Sequence, residues 1–310
     1  MRSDVRSSPS SDHSHDRIVL MLACAAQFMV VLDVSVVNVA LPSIGRALGY
    51  SPVGLQWVVN AYVLTFAGFL LLGGRAADLY GRRKVYLFGI GLFSATSLVG
   101  GLAQTSTWLT AARAAQGIGA AFLSPATLTI IVTTFSGLRL ARAVGLWAAT
   151  GGAGGAAGVL IGGVLTSELG WRWVLFVNVP IGALTMIGAM AYLTEVRRPD
   201  SGARLDVWGS VTVTAGLAAL AYAIVDTDEY SWGSTRTLVI LAIAFVLLGV
   251  FLVLQVKVAS IPLMPVRVFR SRWVTGANVV MLLAAAKTVT ASGSGREPCR
   301  PRPCPGVCIP

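Results

Sequence analysis

The sequence predicts an all-α polytopic membrane protein, and three observations support this fold class. Of its 310 residues, 55% are hydrophobic and only 12% are charged, with a mean hydropathy of +0.75, a composition too apolar for a soluble globular domain. Apolar runs of about 20 residues, the length that a helix needs to cross the hydrocarbon layer, recur along the chain. The basic residues fall mostly in the short segments between these runs. This placement favours a charge bias set by membrane topology over a nucleic-acid-binding face.

Eight apolar runs are long enough for membrane spans. They lie at 18–41, 55–74, 84–104, 108–135, 140–166, 173–193, 207–225 and 237–256. We therefore predict, in chain order, a six-span N-terminal bundle, a cytoplasmic loop, two linker spans and a second cytoplasmic loop. The corresponding ranges are 18–194 for the bundle, 195–206 for the first loop, 207–256 for the linker spans and 257–272 for the second loop.

Three further segments are predicted not to span the membrane. Residues 1–17 are polar and are predicted to form a disordered cytoplasmic tail. Residues 273–286 are apolar but too short to cross, which predicts a partial ninth span. Residues 287–310 carry five prolines and three cysteines without helical periodicity. We interpret this last segment as an aberrant disordered tail from a shifted reading frame, so that the chain is truncated after span 8.

The distribution of Lys and Arg predicts the orientation. With the N-terminus inside, the cytoplasmic segments hold 16 of these residues, whereas the outer segments hold only Arg46, Arg172 and Arg236. An excess of positive charge on the cytoplasmic side is the rule for multi-spanning proteins. We therefore expect a multi-pass protein of the cell (inner or plasma) membrane, with its N-terminus in the cytoplasm.

Residues 73–84, GGRAADLYGRRK, are predicted to form a basic cytoplasmic loop between spans 2 and 3. Glycines permit a tight turn, and an acid beside several cations can form charge-assisted bonds to a neighbouring helix end. A loop that only sets topology would explain the charges but not the spacing of glycine and acid. The glycines, the acid and the cations of this pattern are Gly74, Asp78, Gly81, Arg82 and Arg83.

Two charged residues are predicted to lie inside the bilayer, Asp33 in span 1 and Arg113 in span 4. At 1.5 Å per residue, both lie roughly 8 to 9 Å below the outer boundary. If both helices line one cavity, they can interact directly or through water. A buried carboxylate near a cation is a candidate proton carrier, with Gln116 as a polar neighbour. The alternatives are an Arg113 that reaches the interface, and an Asp33 tied to Asn38 or Ser35.

Span 5 is rich in glycine, and glycines 154, 158 and 162 are spaced by four. This spacing predicts a groove along one helix face, where another helix backbone can approach closely. The residues selected for this packing role are Gly145, Gly154, Gly158, Gly162 and Gly163.

These motifs together resemble those of the major facilitator superfamily. GRAADLYGRR resembles the signature loop between spans 2 and 3, and LTAARAAQGIGAA resembles the span 4 signature of proton-coupled exporters. LDVSVVNVALP is similar to the span 1 signature of drug exporters. The span 5 glycines resemble the antiporter signature, with Val159 in place of the family's proline. WRWVLFVNVPIG and LDVWGS are similar to segments of the fourteen-span drug:proton antiporters.

The resemblance implies a secondary transporter that exports drugs, antibiotics or other amphipathic small molecules in exchange for protons. It assigns proton coupling to Asp33, Arg113 and Gln116, a cytoplasmic gate to the loop residues, and helix packing to the span 5 glycines. No enzymatic activity, metal or cofactor is expected, because the proton gradient supplies the energy and no nucleotide-binding loop occurs.

The expected partners are the lipid bilayer, protons, a small amphipathic substrate and a missing C-terminal half, but not nucleic acid. Without that half, we expect the chain to be incompetent for transport. The alternative is a non-transporting membrane fragment, or an assembly or immunity protein. A sugar-type importer of the same superfamily is disfavoured by the glycine register of span 5.

Overall fold

The computed structural model describes residues 10–195, 207–225 and 233–254, and the single position 276. The regular elements in these ranges are all helices. They are α1 (Ser10–Leu48), α2 (Pro52–Tyr80), α3 (Arg82–Gly101), α4 (Ser106–Thr134), α5 (Gly137–Val164, continued by a π-helical turn at Leu165–Leu169), α6 (Trp173–Phe176), α7 (Asn178–Tyr192), α8 (Val207–Val225) and α9 (Thr235–Val253).

Seven helical segments in the described part are long and apolar enough to cross a membrane. They correspond to the predicted spans 1 to 6 and 8, with α6 and α7 together forming span 6. The predicted span 7 is α8, whose apolar segment Val211–Ala223 is shorter. The all-helical membrane fold is therefore confirmed. The second cytoplasmic loop, the partial ninth span and the tail 287–310 lie outside the described residues, as does most of the first loop.

The first helix is longer than its apolar run at both ends. It begins at Ser10, so residues 10–17 are helical although the sequence placed them in a disordered tail. Asp16 explains this difference, because its carboxylate lies 2.6 Å from Arg139 at the start of α5. This ion pair fixes the first turns of α1 against a neighbouring helix. At the other end, α1 continues through Pro42 to Leu48.

The predicted loop 73–84 is instead two helices that meet at one residue. Helix α2 continues to Tyr80 and α3 begins at Arg82, so only Gly81 separates them. Gly81 has φ +97°, a backbone conformation that residues with a Cβ atom rarely adopt. The prediction of a loop was wrong because the charges mark where the chain leaves the bilayer, and a helix can continue into water beyond that point.

Helix α4 packs extensively against both α2 and α3. Glycines permit both contacts. A Cβ atom on Gly117 would meet the backbone of Tyr62 in α2, and one on Gly119 would lie 2.7 Å from the Phe93 nitrogen in α3. These close approaches bring the polar residues of α4 within reach of its neighbours.

Helix α5 packs along α1 through the glycines spaced by four. A Cβ atom on Gly154 would lie 2.8 Å from the Phe28 carbonyl oxygen, and one on Gly162 would lie 3.0 Å from Val36 Cα. Gly158 lies between them and is equally close to α1. Gly145 and Gly163 have nothing within 4 Å of an added Cβ. At about 100° per residue, Gly163 is turned a quarter-circle from Gly162, and Gly145 lies nine residues, or about 180°, from Gly154.

The change Gly158→Val is expected to lower the stability of the chain by about 1–3 kcal/mol. An added Cβ would lie 2.5 Å from Ser35 Cβ and 3.0 Å from the Leu32 carbonyl oxygen, so α1 and α5 must move apart. Thermal unfolding in detergent measures the effect. Gly152→Val is the matched control, because nothing lies within 4 Å of its added Cβ. Equal unfolding temperatures for the two variants would contradict the packing role.

Candidate functional site

Four polar side chains meet in the interior of the bundle. Asp33 comes from α1, Arg113 and Gln116 from α4, and Asn178 from the first residue of α7. Each residue is at most 1% exposed. Charges so far from solvent are expensive unless they are paired and hydrogen-bonded, so the geometry of their contacts determines what the site can do.

Arg113 and Asp33 form a direct ion pair, with 2.6 Å between Arg113 Nη1 and Asp33 Oδ2. The same Nη1 atom donates to Gln116 Oε1 at 2.6 Å, and Nε donates to the Val58 carbonyl oxygen at 3.2 Å. The guanidinium carbon also lies 4.3 Å from the centre of the Tyr62 ring, a distance suited to a cation–π contact. Arg113 is therefore held by four neighbours within the protein and does not reach the membrane surface.

The second carboxylate oxygen of Asp33 accepts two amide hydrogen bonds. Gln116 Nε2 donates to Oδ1 at 2.9 Å, and Asn178 Nδ2 donates to the same atom at 2.7 Å. With the ion pair, the carboxylate has three donors. Asn38 is not among them, because it is exposed and its amide donates to the Val34 carbonyl oxygen in its own helix.

The network extends from Asn178 toward α3. The Asn178 amide also donates to Ser97 Oγ at 3.1 Å, and the Ser97 hydroxyl donates to the Leu175 carbonyl oxygen at 2.8 Å. Two buried polar atoms beside this network have no partner among the described residues, Asn178 Oδ1 and the Tyr62 hydroxyl. Each atom can still form a hydrogen bond, either with a water molecule or with a side chain of a rearranged network.

Asn178 is the site residue that sequence analysis missed. It is neutral, so it lacks the large burial cost that draws attention to Asp33 and Arg113. It lies 145 positions after Asp33, and no spacing rule connects the two. The available signal was an asparagine inside the apolar run of span 6, two residues before Pro180.

The predicted gate residues lie at the junction of α2 and α3, at one end of the bundle. Arg83 Nη2 donates to the Met190 carbonyl oxygen at 2.6 Å, in the last turn of α7, where a cation is favourable. Asp78 is exposed, and within the described residues it forms no salt bridge. The expected bond to a helix end is thus formed by the cation rather than by the acid. Gly74 lies within α2.

Comparison with known protein families assigns the chain to one of them. The family model of the Major Facilitator Superfamily matches residues 23–296. The chain belongs to the major facilitator superfamily. As a member with several apolar spanning helices, it is embedded in a membrane.

Two relatives within the superfamily are export or resistance proteins. The chain is 47% identical over 272 residues to the cephamycin export protein of Amycolatopsis lactamdurans, covering 87% of this chain and 56% of that protein. It is 42% identical over 264 residues to a puromycin resistance protein of Streptomyces alboniger, covering 84% of this chain and 52% of that one. The chain thus spans about half the length of the relatives that it matches.

A solved transporter structure supports the superfamily fold. A POT family transporter superposes with a TM-score of 0.56 at 15% sequence identity, covering 77% of this chain and 52% of that one. At such low identity the likeness concerns the fold alone. The Asp33 site described above is a feature of this chain.

Proposed function

We propose that the chain is the proton-coupling part of a secondary transporter that exports amphipathic small molecules, including antibiotics, in exchange for protons. The observation that carries the proposal is the buried carboxylate of Asp33, which touches Arg113 and two amides. A buried carboxylate on which a proton and a cation compete can link proton binding to a structural change. The printed names of the export and resistance relatives support the direction of transport.

The contacts of Asp33 indicate how a proton would act. In the charged state, Arg113 Nη1 and the amides of Gln116 and Asn178 stabilise the carboxylate. A proton on Asp33 removes its charge, which leaves the Arg113 guanidinium buried without a counter-ion. Such a group is strongly unfavourable, so the contact of α1 with α4 is weakened. Proton binding thereby biases the relative position of two spanning helices.

The remaining elements have supporting roles in this proposal. The glycines of α5 allow the backbones of α1 and α5 to approach closely, and this contact is the surface along which α1 would move. The junction at Gly81, with Arg83 bound to the end of α7, serves as the cytoplasmic gate. We place the protein in the inner membrane with its N-terminus in the cytoplasm, in line with the excess of Lys and Arg in the segments assigned to that side.

The change Asp33→Asn is expected to abolish transport driven by a pH gradient, because asparagine cannot take up the proton. The assay is accumulation of ethidium in inverted vesicles with an acidic lumen. It is run on this chain alone and on a chimera in which the unmatched part of the cephamycin export protein completes it. The expected rate for the variant is that of vesicles without the transporter.

Asp16→Asn is the matched control, because the same chemical change then falls on an acid at the edge of the bundle, paired with the exposed Arg139. This variant is expected to transport normally. Normal gradient-driven accumulation by Asp33→Asn would reject the assigned role of Asp33. An absence of accumulation in the parent chimera would reject the proposed transport itself.

A further inference from the structure

A cavity of about 810 Å³ lies between α2, α4 and α8 and is separate from the Asp33 site. None of the four buried site residues lines it. Its walls extend from Tyr50, in the turn before α2, to Thr65 and Ala114 deeper in the bundle and to Thr214 of α8. Ligand pockets for drug-sized molecules are roughly 300–1,000 Å³ in volume, so this cavity has room for such a compound.

Among the described residues, the cavity wall carries no charged side chain, and several of its hydroxyl groups are already hydrogen-bonded. The Tyr50 hydroxyl lies 2.5 Å from the Ser106 carbonyl oxygen, to which it donates, and 2.9 Å from Thr110 Oγ1. Because Tyr50 has one hydroxyl proton, Thr110 is the donor in the second bond. Burial raises the pKa of the Tyr50 phenol, so this group stays neutral. These neutral hydroxyl groups do not require a charged ligand.

One side of the cavity is aromatic and joins two helices. Trp57 of α2 lines the cavity, and its ring centre lies 5.9 Å from that of Tyr222 in α8, with 37° between the ring planes. Aromatic rings at such separations attract one another in offset or tilted arrangements. An aromatic ligand can therefore extend this pair by stacking on Trp57, which favours it over a flexible alkyl chain.

The cavity is lined by residues next in sequence to those that contact Arg113. Val58, next to Trp57, accepts the hydrogen bond from Arg113 Nε at 3.2 Å. Ala114 lines the cavity next to Arg113, and its carbonyl oxygen accepts from Thr65 Oγ1 at 2.8 Å. A ligand that presses on these segments of α2 and α4 would shift the groups that hold Arg113.

We propose that this cavity binds the uncharged aromatic part of an exported compound. The inference rests on the proposed export function only for the statement that the bound compound is transported. The binding itself is a property of the cavity. Helix α8 has a direct part in it, because Thr214 and Ala218 complete the wall.

The test measures ligand binding by the full 310-residue chain in detergent. The probe is N-phenyl-1-naphthylamine, an uncharged fluorophore that accepts energy from tryptophan. We expect saturable binding, with energy transfer from tryptophan that decreases in Trp57→Leu but persists in part, because the chain has eight tryptophans. The comparison compound is 1-anilinonaphthalene-8-sulfonate, which has the same ring system and a negative charge. It is expected to bind at least about tenfold more weakly, because the described part of the cavity wall offers no cation to pair with it.

Two variants that fill the cavity provide the decisive comparison. Ala111→Phe adds a ring from α4, at an exposed position that lines the cavity, and Ala218→Phe adds one from α8. Each is expected to weaken binding by about tenfold or more, since even one methylene group in a pocket changes discrimination by that order. Ala148→Phe is the control, on an exposed position of α5 that does not line the cavity.

Three results would overturn the proposal: equal binding by the filled and control variants, equal binding of the charged compound, or displacement of the probe by dioctanoyl phosphatidylcholine. The last result would assign the cavity to lipid chains. Probe binding at the cavity together with absent ethidium transport would leave this inference standing and reject the transport function. Ethidium transport without probe binding at the cavity would reject only the proposed binding in the cavity.

Discussion

Arg113→Met is expected to lower the free energy of unfolding by about 3–5 kcal/mol, the usual effect of removing one partner of a buried ion pair. The variant leaves the Asp33 carboxylate buried without its cation, and it also removes the donor to the Val58 carbonyl oxygen. Methionine preserves most of the side-chain volume, so the loss reflects charge rather than a cavity. Thermal unfolding of the purified chain in detergent measures it. Arg142→Met, at an exposed position at the start of α5, is the control and is expected to unfold like the parent.

The double variant Asp33→Asn with Arg113→Met separates charge from packing. With both charges removed, no ion remains unpaired in the interior, so most of the lost stability is expected to return. Gradient-driven transport is not expected to return, because the proton-binding group is absent. A double variant as unstable as Arg113→Met alone would show that the guanidinium acts through packing, and the electrostatic account of the site would be wrong.

Asn178→Leu is expected to destabilise the chain by about 1.5–3 kcal/mol, the usual range for a hydrogen bond to a charged group. The Asn178 amide donates to Asp33 Oδ1 at 2.7 Å and to Ser97 Oγ at 3.1 Å, and leucine of similar size offers no donor. Unfolding in detergent is again the measurement. Asn38→Leu is the matched control, because that amide is exposed and bonds only within its own helix.

A double-mutant cycle tests whether Asn178 acts through Asp33. In the Asp33→Asn background, the effect of Asn178→Leu is expected to shrink, because the acceptor has lost its charge. If Asn178→Leu destabilises the two backgrounds equally, the amide stabilises the interior independently of the carboxylate. Asn178 would then be a packing residue and not a positioning residue of the site.

The ion pair could be predicted from the sequence because charged residues inside a membrane span are few and energetically costly. Once the spans were placed, Asp33 and Arg113 had similar depths and no other charged candidate, and Gln116 followed one helical turn after Arg113. The groove on α5 was predictable for the same geometrical reason, since glycines spaced by four share a helix face. Gly145 and Gly163 do not share that face, and resemblance to a signature is not sensitive to this angle.

Other features depend on contacts that no sequence pattern encodes. Asn178 joins the site only because α7 begins beside Asp33, and a neutral amide carries no charge signal that would mark it. The extension of α1 to Ser10 depends on the ion pair of Asp16 with Arg139 from a distant part of the chain. The helical continuation of α2 to Tyr80 was missed because hydropathy reports where the bilayer ends, not where the helix ends.

The central claim is that Asp33 takes up and releases a proton inside the bundle. Infrared difference spectroscopy of the chain in lipid, comparing acidic with neutral pH, measures this most directly through the C=O stretch of a protonated carboxyl group. The account predicts a band from a carboxyl in an apolar setting that is absent in Asp33→Asn and retained in Asp16→Asn. Identical spectra for the parent chain and Asp33→Asn would contradict it.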